Sequence, residues 1–146
     1  MKIPISVLVV IYTTSNEVLL LERKDHPGFW QSVTGSLDAL DEPLIEAAAR
    51  ELFEETSIDI SMLPPNNLQS MNQQIQYEIY PQWRHRYAEG VSVNTEHWFK
   101  ILLPNRVPVT LAPGEHIAHQ WQSIERAASL CFSPSNQQAI LKLNSD

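Results

Sequence analysis

The sequence predicts an α/β domain built on a mixed sheet, and three observations carry that prediction. Residues 5–12 (ISVLVVIY) form a nearly continuous, β-branched apolar run, the pattern of a strand buried on both faces. Residues 43–56 (PLIEAAARELFEET) combine a leading proline with good helix formers. Strand-like and helix-like segments are interleaved along 146 residues that are 43% apolar and 18% charged, which is the size and composition of one globular domain spanning 1–146.

The elements follow in order. Residues 13–16 (TTSN) are turn chemistry, so 17–23 (EVLLLER) become a second strand in a hairpin with the first. Pro27-Gly28 marks a loop, and 30–37 (WQSVTGSL) predict one short strand ending near Gly35. Asp41 and Glu42 supply N-terminal acids and a cap for the helix that Pro43 opens. The run Pro64-Pro65-Asn66-Asn67 breaks the chain, after which 73–80 (QQIQYEIY) alternate as a half-buried strand does. Residues 82–90 (QWRHRYAEG) predict a basic, aromatic loop. Strands are expected over 92–103, 107–111 and 115–122, and closing helices over 124–130 and 135–143.

Composition narrows the function. The single cysteine, Cys131, excludes an internal disulfide framework and a Cys-rich zinc site, and points to a reducing, cytoplasmic setting. The longest apolar run is too short to span a bilayer and lacks the flanks of a signal peptide, so no membrane is expected. The net charge is −7, and all of it falls between Asp38 and Asp59, where eight acids face one base, Arg50; the rest of the chain is balanced. That distribution argues against a nucleic-acid partner. It leaves a cation site or a solvated acidic helix face.

Helical geometry bears on that choice. At roughly 100° per residue, Leu44, Ala48, Glu51 and Glu55 share an arc that Leu52 and Ile45 extend on its apolar side. Acids on a merely solvated face would lie opposite the apolar stripe. Glu51 and Glu55 also repel one another as an i, i+4 pair. A hard divalent ion relieves that repulsion, and Mg²⁺, which takes one or two carboxylates together with waters and phosphates, fits better than zinc.

Residues 35–58 (GSLDALDEPLIEAAARELFEETSI) resemble the Nudix box, in which a glycine is followed by five residues, a glutamate, seven residues and the run R-E-aliphatic-x-E-E-x-G-aliphatic. Arg50-Glu51-Leu52-Phe53-Glu54-Glu55 matches the central run, and Ile58 the final aliphatic. Two departures stand out. Six residues rather than five separate Gly35 from Glu42; Glu42 is preferred over Asp41 as the box acid because helix register is stiffer than loop length. Ser57 replaces the box glycine and loses its ease in a left-handed turn, so the helix is expected to end another way. Beyond the box, 29–36 (FWQSVTGS), 84–99 (RHRYAEGVSVNTEHWF), 115–121 (EHIAHQW) and 135–140 (SNQQAI) are similar to the dihydroneopterin triphosphate pyrophosphohydrolases within the Nudix family.

The resemblance implies an α/β/α sandwich and a hydrolase that converts dihydroneopterin triphosphate to the monophosphate and pyrophosphate. It implies Mg²⁺, with Mn²⁺ as a substitute ion, held by Glu51, Glu55 and Glu115. Glu54 and Glu115 are the expected catalytic carboxylates, and Arg50 orients the box acids. Lys2 and Arg23 are expected on the phosphates, with Thr34 offering a hydroxyl. Tyr77, Glu78, Ile79 and Tyr80 are expected to line a slot for a flat polar ring, with Ser133 and Asn136 as polar partners. Strand alternation means that not all four can face a ligand. His116 and His119 lack zinc spacing and are expected to be structural or to bond near Glu115. The expected partner is a small triphosphate, and the chain a monomer or small homo-oligomer. A broader nucleoside triphosphate pyrophosphohydrolase, acting for example on dATP, and a non-catalytic pterin or nucleotide sensor are the alternatives.

Overall fold

Residue parity along the first strand organises the molecule. In the computed structural model, which describes residues 1–145, β1 (Ile5–Thr13) has Val7, Val9 and Ile11 on one face and Leu8 and Val10 on the other, all buried. The odd set packs with Ala47, Ala48 and Leu52 of α1 (Leu44–Thr56). The even set packs with Ile124, Ala127 and Ala128 of α2 (Ile124–Leu130) and Ala139 and Ile140 of α3 (Pro134–Leu141). A sheet covered by helices on both sides explains why the strand reads as a continuous apolar run.

The sheet is mixed. β1 pairs in parallel with β6 (Val93–Leu103), which pairs antiparallel with β5 (Leu68–Glu78). The other edge of β1 is shared. β4 (Val33–Ser36) takes Ser6 to Val9, and β2 (Glu17–Arg23) joins only at Tyr12 through Val18. Beyond that junction β2 pairs with β3 (Trp30–Gln31) and, on its far edge, with β7 (His116–Ser123). The two halves of the sheet therefore diverge, and the space they leave is open to the start of β7 and the N-terminal residues.

Several expectations need correction. Residues 30–37 form two strands, because Ser32 leaves the ladder to bond Asn136: its N–H donates to Asn136 Oδ1 (2.8 Å), while Asn136 Nδ2 donates to Ser32 Oγ (2.9 Å). Residues 107–111 are not a strand. Val107, Val109 and Leu111 pack on the core in alternation, but Pro108 has no donor, and among the described residues the backbone is tied back to the end of α1, by Thr110 N–H to Thr56 O (3.0 Å) and Ser57 Oγ to Thr110 O (3.4 Å). β5 begins five residues before the expected position and breaks register between Ser70 and Gln74, where Asn72 has φ 54°. The basic loop holds a 3₁₀ segment over Pro81–Arg86. Ile45 does not join the buried arc; it is 48% exposed. Pro43 itself caps α1, without a side-chain cap bond.

Candidate active site

Three of the four box acids are placed by one guanidinium. Arg50 donates from Nε and Nη2 to both oxygens of Glu42 (2.9 and 3.0 Å), and from Nη1 to Glu51 (2.8 Å) and Glu54 (3.4 Å). Its Nη2 also reaches Ser36 O (3.1 Å), tying α1 to β4. The two-point grip on Glu42 is the planar geometry that arginine supplies and lysine does not. It also settles the loop question: the extra residue is absorbed before Glu42, which further accepts from Asp38 N–H (2.8 Å). Arg50 acts through these carboxylates, and Glu54 is the most exposed of those on the helix itself.

Glu51 is 9% and Glu55 1% exposed. Burial pushes both carboxyls above their usual range; for Glu55 the neighbouring Glu51 and Glu115 push further. Among the described residues, neither oxygen of Glu55 has a hydrogen-bond partner, and Nδ1 of buried His116 has none either. Glu55, Glu115 and His116 bring ligand atoms within 4.8 Å of one another. Unpaired buried carboxylate oxygens are costly unless a counter-charge meets them, so these residues fit a divalent cation. A carboxylate-dominated set suits a hard ion. Gly35 adds a second mark of fit: a Cβ there would land on the Glu51 carboxylate.

Glu115 arrives from another direction. It follows Pro113-Gly114, is exposed, and is pinned by Lys24 N–H donating to its carbonyl (2.9 Å). The β2–β7 register shifts at Arg23, opposite His116, so a bulge brings both to the mouth of the acid cavity. Burial, with Arg23 nearby, lowers His116 to about 4, which keeps it neutral. His116 is thus a member of the cluster that spacing alone did not reveal, because Glu115 is its neighbour in the chain but Glu55 lies about 60 residues away. His119 instead lies across from Leu21 in β7.

Two cavities meet here. The acid cavity, about 590 Å³, is walled by Glu51, Glu54, Glu55 and Glu115. The second, about 380 Å³, is lined by Tyr77, Glu78, Ile79, Tyr80 and Ser133, as well as by Trp83 and Phe132. Lys2, Arg23, Thr34 and Arg86 border both. Asp25 gathers two of these cations: Arg23 grips both its oxygens (2.8 Å each) and Arg86 reaches Oδ2 (2.9 Å), holding Asp25 down at about 2. Arg23 also stacks over Trp83, 4.4 Å from the ring centroid. Ring contacts join Trp83, Tyr80 and Phe132, and Phe29 stacks on Phe132. Ile79, just past the end of β5, is buried, and Glu78 is largely solvated, so the four do not face the cavity alike. Ser133 caps α3, and Asn136 is committed to Ser32, so Asn136 is a tie between elements rather than a free polar partner.

The NUDIX domain pattern matches residues 2–143. The chain belongs to the NUDIX domain family. It is 44% identical over 140 residues to the dihydroneopterin triphosphate diphosphatase of Escherichia coli K12, covering 95% of this chain and 91% of that protein. It is 42% identical to the Haemophilus influenzae protein of the same name, covering 94% and 85%. Among solved structures, the E. coli dihydroneopterin triphosphate pyrophosphohydrolase matches with a TM-score of 0.88 at 43% identity, covering 97% of this chain and 94% of that one. The Nudix membership agrees with the divergent sheet and the α1 acids.

One Nudix departure resolves differently from expectation. Helix α1 ends in the left-handed turn that a box glycine would make, although the residue is Ser57 (φ 65°, ψ 15°). Its N–H donates to Phe53 O (2.8 Å), and its hydroxyl reaches Thr110 O (3.4 Å). The turn is retained at the cost of a strained serine.

Proposed function

We propose that this single Nudix domain, residues 1–146, hydrolyses dihydroneopterin triphosphate to the monophosphate and pyrophosphate. The observation that carries the reading is the continuity of an acid cavity with an aromatic cavity across a cationic border, in a chain so similar to diphosphatases of that name. In this reading Glu51, Glu55 and Glu115 hold Mg²⁺, or Mn²⁺ in its place. When bound, the ion polarises phosphoryl oxygens and offsets their charge. Lys2, Arg23 and Arg86 hold the phosphate chain, with the Thr34 hydroxyl beside them. A triphosphate brings about four negative charges, more than one divalent ion neutralises, so fixed cations are required. The ring lies between Tyr77, Tyr80, Trp83 and Phe132, with Ser133 at its edge.

Water attacks a phosphorus of the anhydride, the bridging P–O bond breaks, and pyrophosphate departs. The proton goes to a carboxylate of the acid cavity. Glu115 and Glu54 are exposed on its wall, and Glu54 is already engaged by Arg50, so Glu115 is the better acceptor. Positioning by fixed charges supplies most of the catalysis.

The test is pyrophosphate release from dihydroneopterin triphosphate with and without Mg²⁺, beside a nucleotide panel that includes dATP. Selective, Mg²⁺-dependent release from the pterin substrate is expected. A preference for dATP would discard the pterin assignment, and no release from any substrate would favour a sensor.

A further inference from the structure

The aromatic cavity has a polar end that the phosphate chemistry does not use. Glu96, on β6, is 3% exposed and borders the cavity. Its Oε1 accepts from Trp98 Nε1 (3.0 Å) and from Ser135 Oγ of α3 (3.0 Å). Its Oε2 accepts from no described residue. Two places before it, Asn94 is 1% exposed and also borders the cavity. Asn94 Nδ2 donates to Ser6 Oγ (2.7 Å) and Tyr77 OH (3.1 Å), while Oδ1 is buried with no partner among the described residues. Alternation puts both residues on the same side of β6. A buried carboxylate with one idle oxygen and a buried amide with an idle carbonyl form an acceptor pair without donors.

We propose that Glu96 and Asn94 are specificity residues that read a heterocycle through two adjacent hydrogen-bond donors, a ring N–H and an exocyclic amino group. This rests on the pterin reading above and extends it to the edge of the ring. An aminopyrimidinone edge carries both donors. Adenine carries one amino group beside a bare ring acceptor, which would meet acceptor with acceptor. Trp98 and Ser135 fix Oε1 in place, so Oε2 is preset for the ligand, and a charged acceptor makes a stronger bond than a neutral one.

The test compares neopterin, which lacks phosphates, with its lumazine counterpart, in which an oxo group replaces the 2-amino group. Binding of each is read by fluorescence titration to the wild-type chain and to Glu96→Gln. Wild type is expected to favour neopterin by about tenfold or more, the usual worth of a hydrogen bond to a charged group. In Glu96→Gln the amide oxygen keeps Trp98 and Ser135, so its NH₂ faces the ligand donors; neopterin should weaken by at least tenfold and the preference should vanish. The same variant should raise KM for dihydroneopterin triphosphate with kcat nearly unchanged. A melting temperature close to wild type keeps folding out of the comparison.

Equal binding of the two ligands by wild type, no neopterin binding at millimolar concentration, or an equal loss of both ligands in Glu96→Gln would each overturn the proposal. Hydrolysis by wild type is scored separately. A chain that prefers neopterin yet releases no pyrophosphate from the triphosphate would refute the proposed activity and retain the edge reader.

Discussion

Gly35 shows how a single missing side chain makes room for chemistry. Its Cα faces the Glu51 carboxylate so closely that Gly35→Ala must displace that acid. We expect Mn²⁺ affinity, read by electron paramagnetic resonance titration, to fall roughly 10–100-fold, the range seen when groups that orient metal ligands are lost. Glu55 carries the opposite lesson. Its carboxyl is raised by burial above the ordinary 4.5, so the metal-free fold favours its protonated form. That stability is full below pH 4.5 and is lost as pH rises through the folded value. Without metal, Glu55→Gln should therefore melt higher than wild type at pH 8 by a few degrees, since about 1 kcal/mol moves a domain of this size by roughly 3–5 °C. The gap should close towards pH 4.5, and added Mg²⁺ should raise the wild type alone. Scanning calorimetry across pH reads all three effects.

Among the elements, α1 was the most legible in the sequence because its signals agree: helix formers, a leading proline, and acids spaced to one face. What the sequence did not disclose was how its ends are made. Pro43 caps without a side-chain bond because its ring carries no acceptor, and Glu42, the expected N-terminal acid, is held by Arg50. At the other end, Ser57→Gly should relieve the left-handed residue and stabilise the chain by about 1 kcal/mol, seen as a higher urea midpoint at constant slope. Residues 107–111 show the limit of periodicity. Alternation reports which face is buried, but a strand also needs a neighbour, and among the described residues the backbone ties there run to the end of α1. Glu96 was invisible for a similar reason: a lone acid in an alternating strand looks solvated until the helix that covers it is known.

At the scale of the whole molecule, the two cavities divide the work. The acid cavity was foreseeable because its motif is contiguous, apart from Glu115 and His116. The aromatic cavity was only partly so, because Trp83 and Phe132 come from a 3₁₀ segment and a helix junction about 50 residues apart. If the division holds, Phe132→Ala should raise KM for dihydroneopterin triphosphate about tenfold, the worth of one lost ring contact, and leave Mn²⁺ affinity unchanged. A matched loss of both would mean that the cavities are not separable. The parallel pairing of β1 with β6 has a further consequence, for synthesis rather than catalysis. Ile5 meets Thr95, and Thr13 meets Leu103, partners about 90 residues apart along the chain. On the ribosome the first strand waits, its apolar flank open, until most of the chain has emerged, so the α1 acids are translated long before Glu115 and His116 arrive to complete the cluster around Glu55. Ribosome-bound fragments ending before residue 103 should be the ones that chaperones retain.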